Sequence, residues 1–425
     1  MSKVKDILKK TPLRPLWWKI NKLPPMKKYR KRRNERRRDK FLFQTIPGIY
    51  DSKKNQPLNE KKVIFVELRY DSLKDSLQLL YQELKNHYDF EIHLHLLNHE
   101  GVPYQQYVEN CKRLAADMAT AKYIFISDAS EVVSCVAMRP ETVVTQVWHA
   151  CGAFKKFGMS TADLIFGFNA EQQKRHPMYG NLTYVTVSSP EIVWAYAEAM
   201  DLKGKEEIIR PVGTSRTDVF FRREARENAF QELYRQFPAA KGKKVILYAP
   251  TFRGRVAKAK TPDCFDLEQF YRALGDQYVV ITKHHPLVKV LPEIPEHLQG
   301  SFAMDATKSM TIEDLLMVSD ICISDYSSLI FEYSLFERPM LFYAYDLENY
   351  FDWRGFYYPY EELTPGPVCR TNEEMIDYIQ HVEERFDRQQ VIDFKNKFMS
   401  ACDGHATERI LKMVFGEDNL ERMKK

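Results

Sequence analysis

Short runs rich in Val, Ile, Tyr and Phe alternate with longer stretches in which apolar residues recur every three or four positions. The short runs predict strands at 63–68, 92–97, 123–127, 143–148, 184–187 and 208–212, then at 245–249, 278–282, 321–324 and 340–343. The amphipathic stretches predict helices at 72–86, 107–119, 191–200, 221–236 and 267–274. Strands alternating with helices argue for parallel sheets covered on both faces. The pattern restarts after the helix at 221–236 and the turn at 241–244, which puts a domain junction near 215–240. The expected organisation is an arm over 1–59, a Rossmann-like domain over 60–220 and a second one over 221–425. Two doubly wound α/β domains facing each other would aim their strand ends at one central cleft, where ligands of such sheets bind.

Length agrees with two domains, since 425 residues exceed what one core usually organises. No run of eighteen apolar residues occurs, so no bilayer-spanning helix is expected, and the N-terminus does not read as a secretory signal. The seven cysteines are scattered without Cys-x-x-Cys spacing, which argues against zinc or a disulfide framework and points to a reducing compartment, the cytosol.

Charge changes the picture. Residues 1–40 hold 17 Lys and Arg against Asp6, Glu35 and Asp39, a local net of +14, while the remaining chain carries 46 basic and 55 acidic residues. Trp17 and Trp18 lie in this arm among Leu13, Leu16, Ile20 and Leu23, before a basic run from Lys27 to Lys40. Interfacial Trp beside a polybasic stretch suits an anionic membrane surface, with each Lys or Arg worth about 1 kcal/mol there. Nucleic acid and a merely solvated tail are the competing readings, and the membrane is preferred.

Four clusters follow predicted strands. Trp148-His149-Ala150-Cys151-Gly152 places an imidazole at a strand end, followed by small residues that let the backbone approach a ligand. A lone His there can equally be structural. Gly213 to Asp218 presents Arg216, which could fork onto a phosphate or pair with Asp218. Pro250-Thr251 leaves one strand and Lys283-His284-His285 leaves the next. Adjacent side chains on extended backbone point opposite ways, so one His of the pair should face the cleft, and no third ligand completes a metal set. Lastly Ser324-Asp325-Tyr326-Ser327-Ser328 joins a strand to a helix beginning near Ser327, so free N–H groups and hydroxyls meet at a helix N-terminus suited to phosphate. Glu332 shares a helix face with Ser328 and is expected to accept hydrogen bonds from sugar or polyol hydroxyls. No P-loop, GxGxxG turn or acidic metal-nucleotide motif is present.

Taken in order, these clusters resemble the CDP-glycerol glycerophosphotransferases of teichoic-acid synthesis and their ribitol-phosphate relatives. The resemblance spans roughly 60–400 and is densest from Ser319 to Pro367, through Arg338-Pro339, Phe342-Tyr343-Ala344-Tyr345-Asp346 and Arg354-Gly355-Phe356-Tyr357. It implies a GT-B fold, a CDP-polyol donor held without metal or other cofactor, and a peripheral enzyme on the cytoplasmic face of the membrane. The implied acceptor is an undecaprenyl-diphosphate-linked teichoic-acid chain, with no role for nucleic acid. Carried onto this sequence, it makes His149 the catalytic base and gives His285 the second catalytic role. Trp148, Ala150, Cys151 and Gly152 form the loop around the base. Arg216 and Lys283 stand where the family handles donor phosphates, and His284 is the middle residue of the match to the family's Arg-x-His motif and is counted as substrate-binding. Pro250 and Thr251 stand where the family contacts the nucleotide, and Ser327 and Ser328 where it binds the diphosphate. Glu332 stands where relatives carry Asp or Glu. A sugar transferase of the same fold and a non-catalytic membrane adaptor are the alternatives.

Overall fold

The computed structural model describes residues 24–425 apart from 163, 165–168, 255–258 and 263. Its described residues form two six-stranded sheets, parallel throughout. The first contains β1 Asn59–Glu67, β2 Glu91–Leu96, β3 Ala121–Ile126, β4 Val143–Gln146, β5 Tyr184–Thr186 and β6 Ile209–Arg210, in the order β2-β1-β3-β4-β5-β6. The second contains β7 Lys244–Tyr248, β8 Tyr278–Thr282, β9 Ala303–Asp305, β10 Ile321–Ser324, β11 Met340–Tyr343 and β12 Val368–Cys369, in the order β12-β11-β10-β7-β8-β9. Each order reverses beside the sheet's first strand. These reversals, β1/β3 and β7/β10, open the crevices in which doubly wound sheets take ligands.

Covering helices explain the apolar strand runs. In β1, Ile64 and Val66 pack with Ile46, Tyr50, Leu114 and Met118 on one face, while Val63 and Phe65 pack with Leu77, Leu80, Ile410 and Phe415 on the other. A strand buried on both sides must be apolar at every position.

This packing redraws the expected domains. The helix Ala406–Phe415 lies far into the expected 221–425 domain, yet Ile410, Leu411, Val414 and Phe415 belong to the core of the first sheet. Burial of such side chains is worth about 1.5–3 kcal/mol each. Asp218 accepts the Ala406 and Thr407 backbone N–H groups and fixes the return crossing at the start of that helix. The expected 1–59 arm divides as well, because Leu42, Ile46 and Tyr50 are buried whereas the helix Pro24–Lys40 has no buried residue. That helix carries the basic run. Trp17, Trp18 and their apolar neighbours lie outside the described residues.

Candidate active site

Both sheets deliver their strand ends to the same place. The loop after β4 reaches across to the second domain, where Lys155 pairs with Phe356 in an antiparallel bridge and Tyr357 N–H donates to the Phe154 carbonyl at 3.1 Å. Gly152, at φ 63°, is required here because a Cβ would sit 2.3 Å from the Phe331 ring. Trp148 also holds a positive φ of 51°, a costly state for a bulky residue, and its ring is stacked on Phe157 at 4.8 Å.

Two cavities meet between the domains. One, of about 310 Å³, is lined by Trp148, His149, Ala150, Cys151 and Gly152 together with Thr251, His285, Ser327 and Ser328. Another, of about 590 Å³, is lined by Arg216, Pro250, Thr251, Lys283, His284, His285, Ser327, Ser328 and Glu332. Thr251, His285, Ser327 and Ser328 line both and so mark the seam. Every residue given a catalytic or substrate-binding role in the sequence therefore borders one cavity or the other. The larger is of ligand size.

The two histidines are oriented differently. His149 Nδ1 lies 3.0 Å from the Ser127 carbonyl, which only accepts, so Nδ1 carries the proton and Nε2 the lone pair. The Leu287 N–H donates to His285 Nδ1 at 3.2 Å, which leaves the proton on Nε2. His284 turns away as extended backbone requires: it is buried, with Nδ1 2.7 Å from Thr261 Oγ1, and burial holds its pKa below the usual value.

The cations are less available than their residue types suggest. Arg216 donates to the His149 carbonyl at 2.7 Å and to Glu313 at 2.6 Å, with Glu332 at 3.7 Å from Nε. It is thus neither a loose phosphate clamp nor a partner of Asp218, whose carboxylate caps the return helix. Glu332, expected to meet ligand hydroxyls, is buried against this guanidinium. Lys283 donates to the carbonyls of Ala306, Thr307 and Met310, and burial lowers its pKa. Cys151 is buried in hydrogen-bond contact with Cys402, and burial pushes its thiol pKa up. The helix expected near Ser327 runs over Leu329–Ser334, and Ser327 Oγ accepts the Leu329 N–H at 3.4 Å. Sequence reasoning passed over Lys74 and Lys308, two exposed lysines on the rim of the larger cavity. Lys74 could have been found by the strand-end rule, whereas Lys308 follows β9, whose Ala-Met-Asp sequence carries no strand pattern. Among the described residues, no group of three His, Cys, Asp or Glu side chains is assembled to hold a metal ion, and no helix is long and apolar enough to cross a membrane.

Two doubly wound domains clasping a cleft between facing strand ends have the GT-B arrangement. Residues 49–416 match the family described as CDP-Glycerol:Poly(glycerophosphate) glycerophosphotransferase, and the chain belongs to that family. It is 34% identical to the teichoic acid ribitol-phosphate primase of Bacillus spizizenii, over 88% of this chain and 97% of that protein. Identity to the teichoic acid glycerol-phosphate primase of the same organism is 29%, over 82% and 91%. The solved wall teichoic acid polymerase TagF superposes with a TM-score of 0.73 at 22% identity, covering 93% of this chain and 97% of that one, and so shares the fold.

Proposed function

We propose that this transferase moves a polyol phosphate from a CDP-linked donor onto a lipid-linked teichoic-acid acceptor and releases CMP. The observation that carries the reading is the pair of complementary imidazoles, His285 on the seam between the two cavities and His149 in the smaller one. The CDP moiety occupies the larger cavity, its diphosphate beside Thr251, Ser327 and Ser328. The acceptor hydroxyl enters the smaller one, where His149 Nε2 takes its proton as the oxygen attacks the phosphorus bearing the polyol. The His285 Nε2–H donates to the phosphate as charge builds, in keeping with phosphoryl transfer by positioning and electrostatics. Arg216 holds the His149 loop from behind, and Lys283 shapes the 306–310 segment. Lys74 and Lys308 supply exposed positive charge at the rim.

Ribitol phosphate is the favoured cargo, on the higher identity to the ribitol primase. Transfer assays with CDP-ribitol, CDP-glycerol and UDP-sugars on a lipid-linked acceptor, with and without EDTA, test this. Turnover of a CDP-polyol that survives chelation is expected, whereas turnover of UDP-sugars alone would replace the reading with glycosyl transfer.

A lipid-linked acceptor supports a position at the cytoplasmic membrane surface, and the basic helix Pro24–Lys40, which has no buried residue, offers a cationic contact there. Deleting residues 1–40 should weaken binding to anionic vesicles and abolish salt-sensitive recruitment while sparing turnover of a soluble acceptor analogue. Vesicle co-sedimentation at low and high salt checks this, and unchanged binding by the truncated protein would move the contact to the folded body.

A further inference from the structure

Arg253 follows Thr251 on the loop after β7 and has no part in the mechanism above. Its guanidinium is nonetheless the most heavily bonded cation near the seam. Nη1 donates to Asp325 at 2.9 Å and to the Thr251 carbonyl and hydroxyl at 2.9 and 3.0 Å. Nε and Nη2 fork onto the two oxygens of Asp346 at 2.6 and 3.0 Å. The rings of Tyr326, Tyr345 and Tyr350 enclose it, with centroids 5.2, 5.6 and 5.1 Å away. Burial alone would lower its pKa, but Asp325 and Asp346 more than offset that and hold the charge.

Each partner leads to the seam. Asp325 accepts the Thr251 N–H at 2.9 Å and its hydroxyl at 3.0 Å, and also the Tyr326 N–H at 2.7 Å. Asp346 accepts the Tyr326 hydroxyl at 2.9 Å. One cation between two carboxylates therefore ties together the loops after β7, β10 and β11, at the β7/β10 reversal. Thr251 and the Ser327-Ser328 pair, which border both cavities, ride on two of those loops.

We propose that Arg253 is a positioning residue for the donor: through Asp325 and Asp346 it fixes Thr251 and the Asp325–Ser328 turn in the spacing that receives a nucleoside diphosphate. The assignment rests on the donor reading above. Only a planar fork can reach both carboxylates and Thr251 at once. A lysine keeps the charge but offers a single nitrogen.

Arg253→Lys and Asp346→Asn, the latter removing the forked carboxylate without opening a cavity, should each be assayed beside wild type. The readouts are KM for the CDP-polyol, KM for the acceptor, kcat and the unfolding midpoint. Arg253→Lys should raise donor KM about tenfold or more, as expected for lost charge-assisted hydrogen bonds, with acceptor KM within twofold. Asp346→Asn should show the same signature at smaller size. Donor KM within twofold of wild type in Arg253→Lys overturns the proposal. So does a parallel rise in both KM values, or failure of both variants to fold, because either makes the cluster general scaffold. Failure of wild type to turn over any CDP-polyol would instead defeat the donor reading, so the two outcomes are distinguishable.

Discussion

His149 and His285 both stand just past the ends of parallel strands, one in each domain, yet their surroundings set opposite protons. The carbonyl of Ser127 claims the Nδ1–H of His149, while the N–H of Leu287 occupies Nδ1 of His285. The neutral His149 ring therefore carries its lone pair on Nε2, and the His285 ring its proton. The lesson is that residue type and strand-end position deliver an imidazole to the cleft, but the backbone atom behind it decides its chemistry. Ser127 lies 22 positions from His149, whereas Leu287 lies two from His285.

The sharpest way to break this comparison is His149→Ala. Removal of a general base should lower kcat by about 10²–10⁴-fold with donor affinity unchanged, measured by single-turnover transfer and donor titration. Activity above a tenth of wild type removes His149 from that role. His285→Ala should cost about 10²–10³-fold, the range for losing one donor to developing charge, and His284→Ala should be mild. If the two substitutions exchange effects, the cleft-facing ring has been misassigned. A smaller loss, about tenfold in kcat, is expected for Arg216→Lys, since one nitrogen cannot span the His149 carbonyl and Glu313. A rise in donor KM at constant kcat would return Arg216 to the phosphate.

The smallest effect concerns stability. Burial holds the folded pKa of His284 below the unfolded value of about 6.5, so the unfolded chain takes up the proton first as pH falls. Stability is therefore lost as pH drops through that window toward the folded pKa. His284→Gln should flatten the fall of the unfolding midpoint between about pH 7 and 5, by about 2 °C. Buried His176, also lowered by burial, acts in the same direction, so the slope shrinks without vanishing.

The strands were legible because each is a compact apolar run. Those expected at 278–282, 321–324 and 340–343 coincide with β8, β10 and β11, whereas β9 (Ala303-Met304-Asp305) and β12 (Val368-Cys369) lie in no run rich in Val, Ile, Tyr or Phe. The site residues were legible for a related reason, since strand ends converge wherever parallel sheets face one another. What stayed hidden was which side chains are already engaged. Arg216 is held by a carboxylate 97 positions away and Arg253 by one 93 positions away, and no local pattern announces such pairs. The return of 406–422 to the first domain was hidden likewise, because an amphipathic helix does not name the sheet it will cover.

That return has a consequence in time. A chain is made from its N-terminus, and domains generally fold in the order they emerge. Here one face of the first sheet, covered early by Leu77, Leu80 and Leu84, stays only partly covered until Ile410, Leu411, Val414 and Phe415 have been synthesised. The loop bearing His149 is likewise propped by Phe331 and Phe356 of the later half. A ribosome-bound fragment carrying the whole first Rossmann-like unit thus has neither a sealed core nor a formed base, and the enzyme comes into existence nearly all at once, when the last turns dock.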